Sequence, residues 1–254
     1  MHRKPSMIDT HCHIHESDYP LPVDDVIARA TADDVTEYIC IGTSEESSRR
    51  AIAFAKEYDN AYAVVGVHPH DTKDGYEEIA GLADTPGVVC IGEIGLDYFY
   101  THSDRQTQMD AFRAQLKVAE ERNLPVSFHV RDAFDDFWPI FESFEEVRGV
   151  LHSFTDSPEN LEKALKKGLY IGVNGISTFT KDEKQQAMYD SIPLGRLLLE
   201  TDAPFLTPHP FRGKINEPAY VKLVAEYHAA RRGISLEEIT VATTANARAL
   251  FALS

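Results

Sequence analysis

The chain has 254 residues, 43% of them hydrophobic and 26% charged, with 25 Lys and Arg against 41 Asp and Glu. Such a length can bury a large core without cross-links, and the composition excludes intrinsic disorder, collagen and coiled coil as readings of the whole chain. The net charge of −16 argues against a protein that coats nucleic acid by general phosphate neutralisation, while leaving room for a local phosphate site.

No window reaches 18 uninterrupted apolar residues, so no membrane span is expected. The opening Met1-His2-Arg3-Lys4-Pro5-Ser6 lacks the apolar run of a signal peptide. Three cysteines, Cys12, Cys40 and Cys90, are too few for a disulfide framework, and the expected compartment is the reducing cytoplasm.

In chain order, eight β-rich runs are expected as strands: 7–11, 38–42, 61–67, 88–92, 125–129, 150–153, 170–173 and 197–200. Helical patterns lie between them. Met109, Phe112, Leu116 and Ala119 share one face of a helix expected near 105–122, ended by Asn123-Leu124-Pro125. Phe134, Phe137, Trp138 and Phe141 form an apolar helical pattern suited to the core. Ser157-Pro158-Glu159 reads as an N-cap followed by Pro at the first helical position, with Leu161 and Leu165 inward and a stop at Gly168. Further helices are expected over 219–231 and 245–251. This alternation points to an α/β fold with parallel strands and crossover helices. A single domain over 1–254 with an eight-stranded (β/α)8 TIM barrel fits best, and an open doubly wound sheet second. No Gly-x-Gly-x-x-Gly turn follows the first strand, so the dinucleotide-binding signature is missing.

The chemistry gathers at strand ends. On a strand, Asp9, His11 and His13 share one face and Cys12 points away. Two imidazoles on one face suit a divalent metal such as zinc, and Asp9 could orient one of them. Glu93, His129, His152 and Asp202 each follow another apolar strand pattern. In a parallel barrel all such ends meet at one rim, where a metal would relieve the repulsion between carboxylates.

The motifs Ile8-Asp9-Thr10-His11-Cys12-His13, Gly66-Val67-His68-Pro69-His70, Gly92-Glu93-Ile94-Gly95-Leu96-Asp97-Tyr98, His129-Val130-Arg131-Asp132-Ala133, His152-Ser153-Phe154-Thr155 and Glu200-Thr201-Asp202-Ala203-Pro204 follow one another along the chain. After them come Arg212-Gly213-Lys214 and Asn216 with Pro218. In these the chain resembles the TatD-type metal-dependent deoxyribonucleases, within the amidohydrolase-like TIM barrels, from Met7 to Phe251. The resemblance implies two divalent metal ions, zinc, manganese or magnesium. His11, His13 and Asp202 would hold the first, His129 and His152 the second, and Glu93 would bridge them. His15 stands where the family usually has Asp, and either faces the site or is solvent-exposed without a role. The resemblance also implies hydrolysis of DNA, 3′ to 5′ from ends or single strands, with a DNA-repair-like role.

In that reading, two metals activate a water for in-line attack at phosphorus. Asp202 would also take the proton as general base, or act as a ligand alone. His68, Arg131, Arg212 and Lys214 are the candidates for substrate binding. Arg131 could instead pair with Asp132, and Arg212 and Lys214 could belong to a solvated loop. Tyr98, Phe99 and Tyr100 could stack an unpaired base or pack under a loop, and Asn174-Gly175 could admit substrate close to the backbone. His70 is expected to support its turn, while His102, His209 and His228 are expected at the surface or in loops. Cys40 and Cys90 are expected as buried thiols. The alternative activity is hydrolysis of a small amide or lactone, and a monomer is expected.

Overall fold

Each expected β-rich run forms a strand in the computed structural model, which describes residues 5–253. Residues 1–4, part of the opening read above for a signal sequence, and residue 254 lie outside them. In chain order the first elements are β1 (Met7–Cys12), α1 (Val23–Ala32), β2 (Val35–Ile41), α2 (Glu45–Glu57), β3 (Ala61–Val65) and α3 (Ile79–Leu82). There follow β4 (Val88–Asp97), α4 (Arg105–Arg122), β5 (Val126–Arg131), α5 (Phe134–Phe141), β6 (Gly149–Leu151), α6 (Pro158–Lys166) and β7 (Tyr170–Val173). The remainder is α7 (Ile176–Phe179), α8 (Glu183–Ser191), β8 (Leu197–Leu199), α9 (Val221–Arg232) and α10 (Leu236–Phe251). The strands are ordered β1 to β8 in one sheet, which is the parallel (β/α)8 barrel class.

The chain divides into two compact units, Cys40–His152 and Met1–Ile39 with Ser153–Ser254. In the first, β3, β4, β5 and β6 pair in parallel in that order. The apolar runs of β4 and β5 are buried on both faces, as strands covered by crossover helices must be. Phe112 of α4, Phe128 of β5 and Phe137 of α5 form the aromatic core, with the Phe112 and Phe137 rings stacked at 5.5 Å. Asp104 caps α4 by accepting the Thr107 N–H, and Asn123 ends it in the left-handed conformation. Met109 is only half-buried, and Gln108 and Gln115 occupy the inward face instead.

In the second unit, β7 pairs with β8 in parallel. Beyond β8 the chain runs alongside β1: Thr10 Oγ1 donates to the Leu199 carbonyl (2.9 Å), and the Asp202 N–H donates to the His11 carbonyl (2.9 Å). The helix expected from Ala245 starts at Leu236, where Ser235 accepts the Glu238 N–H. Its Thr- and Ala-rich middle hides the apolar period. His228, expected at the surface or in a loop, is fully buried in α9, where its Nε2 lies 2.9 Å from Ser177 Oγ. Burial pushes its pKa down to about 3, with Arg232 adding to the effect, so it is neutral in the fold. Cys12, Cys40 and Cys90 are buried free thiols.

Candidate metal centre

In the unit that holds Cys40–His152, one carboxylate oxygen gathers three imidazoles. Glu93 Oε1 lies 2.8 Å from His129 Nδ1, 3.7 Å from His68 Nε2 and 3.8 Å from His152 Nε2. The polypeptide sets up this geometry with Glu93 and His129 inside β4 and β5 and with His68 and His152 just past β3 and β6. The Glu93 N–H donates to the Gly42 carbonyl, that of His68 to Thr43 and that of His152 to Phe128. β4 continues past Glu93 to Asp97, four residues on and on the same face by strand alternation. Gly95 makes the passage possible: its φ is +145°, and a Cβ there would sit 2.0 Å from the His129 carbonyl oxygen.

Asp97 is the functional residue that the strand pattern hides, because Gly92 and Gly95 read as a strand ending early. Its Oδ2 accepts from His129 Nε2 and from His70 Nε2, both at 3.0 Å. Its Oδ1 accepts the N–H groups of Phe99 and Tyr100, each at 3.0 Å. Burial would raise the Asp97 pKa, but these hydrogen bonds hold it well below the usual carboxylate range. Burial opposes charge on His129, yet hydrogen bonds to Asp97 and Glu93 outweigh it and raise its pKa to about 9. Without metal it is therefore an imidazolium between two carboxylates. His68 moves the other way: burial, with charged His129 beside it, pushes its pKa well below the ordinary value.

Two glutamines of α4 hold the strand ends in place. Gln115 accepts the Val67 N–H (2.7 Å) and donates to the Val67 carbonyl (3.2 Å), next to His68. Gln108 does the same for Asp97, at 2.9 and 3.0 Å. Each bonds the strand end's N–H and C=O in a buried position, where an unpaired backbone group would be costly. A search for apolar periodicity passes over both.

The other unit carries the His-x-His motif. His11 and His13 lie side by side, ring centroids 5.1 Å apart, with Nε2 atoms 3.6 and 3.3 Å from Asp202 Oδ1. Asp202 has φ +60°, a left-handed conformation that is strained for a non-glycine residue and is associated with functional positions. Cys12 points away, its thiol against the Ile39 carbonyl. Asp9 acts on backbone and hydroxyl groups rather than on an imidazole ring. It accepts the His11 N–H (3.3 Å), the Thr201 N–H (2.9 Å) and the Thr201 hydroxyl (2.5 Å). Burial raises its pKa well above the ordinary value. Asn216, fully buried, donates to the carbonyls of Thr201 and Phe205 and so clamps the Asp202 loop from both sides. Glu200 fills the space left by Gly172, where a Cβ would lie 2.4 Å from its carboxylate, and accepts the Ser153 N–H at 2.7 Å. His15 is buried, its Nε2 3.4 Å from Glu16, so the solvent-exposed reading does not hold.

The donor set fits a divalent cation: the buried Glu93 carboxylate and the half-buried imidazoles of His68 and His129 bring their ligand atoms within 4.8 Å of one another. His68, expected at the substrate, is thus placed among possible ligands. Of the rim candidates, Arg131 lies over the Phe99 ring (4.1 Å) and, among the described residues, makes no ion pair with Asp132. Arg212 lies over Phe179 (3.8 Å) and donates to the Thr207 carbonyl, and Lys214 lies over Phe211 (5.0 Å); both are exposed. Asn174 bonds Ser153 and Ile176, and the Leu206 carbonyl occupies the room beside Gly175, so this corner is packed.

A family model described as TatD related DNase matches residues 8–252. The Bacillus subtilis (strain 168) protein named uncharacterized metal-dependent hydrolase YabD is 42% identical, covering 98% of this chain and all of its own length. The Salmonella typhimurium 3′-5′ ssDNA/RNA exonuclease TatD is 36% identical, covering 96% of this chain and 98% of its own length. The crystal structure of YjjV, a TatD homolog from Escherichia coli K12, superposes with a TM-score of 0.91 at 29% identity, covering 99% of this chain and all of that one.

Proposed function

We propose that this chain, which belongs to the TatD-related DNase family and is a metal-dependent hydrolase, cleaves phosphodiester bonds in DNA, removing nucleotides 3′ to 5′ from ends or single strands. The observation that carries this reading is the gathering of His129, His68 and His152 on one oxygen of Glu93. The ligand types fit two ions of zinc, manganese or magnesium, one held by His11, His13 and Asp202 and the other by His129 and His152. Glu93 is assigned to both by its place in the family motif. When bound, such ions lower the pKa of a water and stabilise the oxygens of an in-line displacement.

The chain's own residues supply the rest. Asp97 holds His129 by Nε2 and fixes the ring that faces Glu93. His129 gives up a proton before either of its nitrogens can bind a metal, so loading is favoured as pH rises. Asp202 is the more open carboxylate, its side chain 15% exposed against 5% for Glu93, and is the one assigned to accept the nucleophile's proton. Arg131, Arg212 and Lys214 present cations to phosphate oxygens.

No helix among the described residues is long and apolar enough to cross a membrane. The reading is of a cytoplasmic monomer acting in DNA repair. The test is a metal-dependent assay on single-stranded DNA, duplex DNA, RNA and a panel of lactones. Strand cleavage that is lost on chelation and restored by manganese supports it. Lactone turnover without strand cleavage, or full activity after metal removal, overturns it.

A further inference from the structure

We propose that the rings of Phe99 and Tyr100, with the Arg131 guanidinium laid across them, form a stacking site for an unpaired nucleobase of the strand being cut; this rests on the nuclease reading above. Phe99 is 54% exposed and Tyr100 42%, two consecutive large apolar side chains left in solvent. Their rings meet edge to face at 4.7 Å, and Arg131 lies 4.1 Å from the Phe99 centroid and 5.0 Å from that of Tyr100. His102, also exposed, stacks beside Tyr100 at 5.8 Å. The neighbouring Tyr98 is used differently: its hydroxyl donates to Asp136 (2.8 Å) and Arg105 covers its ring.

The platform is tied to the ligand cluster of its own unit. Asp97 accepts the N–H groups of both Phe99 and Tyr100 while holding His129. The Tyr100 ring lies 5.5 Å from that of His70, which lies 6.3 Å from that of His129. A strand with a phosphodiester at His129 therefore has a base within reach of the rings. Flat apolar faces beside a fixed cation match a base joined to a phosphate. In a chain of net charge −16, a local cation offsets the repulsion that an oligonucleotide's phosphates meet. A base in the interior of a duplex has both faces covered by its neighbours, so the site favours an unpaired one.

The test uses the full-length, metal-loaded protein and its Phe99→Ala/Tyr100→Ala double variant. Steady-state kinetics are measured on oligothymidylate and on the same strand with abasic residues near its 3′ end. The expected result is that the preference for the base-containing strand, as a ratio of kcat/KM, falls on the order of tenfold, chiefly through KM. The Phe99→Tyr/Tyr100→Phe variant retains the preference. An unchanged ratio overturns the stacking site, because a merely structural role moves both strands together. If the wild type cleaves neither strand, the nuclease reading fails. Fluorescence anisotropy of labelled oligothymidylate then decides the platform, which falls if the double variant binds the normal and abasic strands with the wild-type ratio.

Discussion

The ligands around Glu93 and those around Asp202 solve the same problem in different ways. Around Glu93, two carboxylates grip His129 from both sides, and its pKa rises to about 9. Around Asp202, two imidazoles face a single, more open carboxylate, and the ordering falls on the backbone through Asp9, Thr201 and Asn216. The first cluster is ordered by two carboxylates hydrogen-bonded to the two nitrogens of one imidazole. The second is rigid chiefly because its loop is clamped. The lesson is that a ligand can be preorganised by a charged partner or by backbone hydrogen bonds, and the two devices fail differently.

The largest effect is expected at Glu93. Glu93→Ala is expected to abolish phosphodiester cleavage while leaving the far-ultraviolet circular dichroism of the wild type; retained turnover removes Glu93 from the centre. Asp202→Asn keeps the shape of the loop but not the proton acceptor, and kcat should drop by about 10²- to 10⁴-fold. A smaller loss, with weakened metal binding instead, makes it a ligand alone. Asp97→Asn tests the charged device directly. Calorimetric titration with manganese should show affinity reduced by about 10- to 100-fold, and equal affinity would mean that Asp97 serves only the Phe99-Tyr100 turn.

Two gentler experiments concern the units themselves. His228 has a pKa of about 3 when buried, against about 6.5 in an unfolded chain. Its contribution to stability is therefore complete above pH 6.5 and is lost as pH falls toward 3, because the unfolded state takes up the proton first. The unfolding free energy obtained from urea titrations should drop over this range by up to about 1.4 kcal/mol per pH unit from this residue, and His228→Asn should flatten the curve. A variant with the wild-type slope would place the acid sensitivity elsewhere. The single domain expected over 1–254 is read by the same denaturation. Tryptophan fluorescence, which reports Trp138 in the first unit, and far-ultraviolet circular dichroism should give one coincident transition; two transitions would show two independently folding parts.

Residue type and strand alternation are local properties, and they made much of the fold and the site legible. The eight apolar runs, the Asn123 stop, the Ser157 cap and the outward turn of Cys12 between His11 and His13 all follow from them. Whatever depends on a partner far along the chain did not. Gln108 and Gln115 look like surface positions until the ends of β3 and β4 require backbone partners, and His228 looks exposed until Ser177 lies beside it. Asp97 lies past two glycines that suggest a strand already finished. Residue types and their order along the chain already specify which chemical groups stand within and just past the strands. Which carboxylate meets which imidazole is settled by the folded chain, because strand register, a left-handed Asp202 and the space left by a missing Cβ at Gly95 or Gly172 are set by long-range packing.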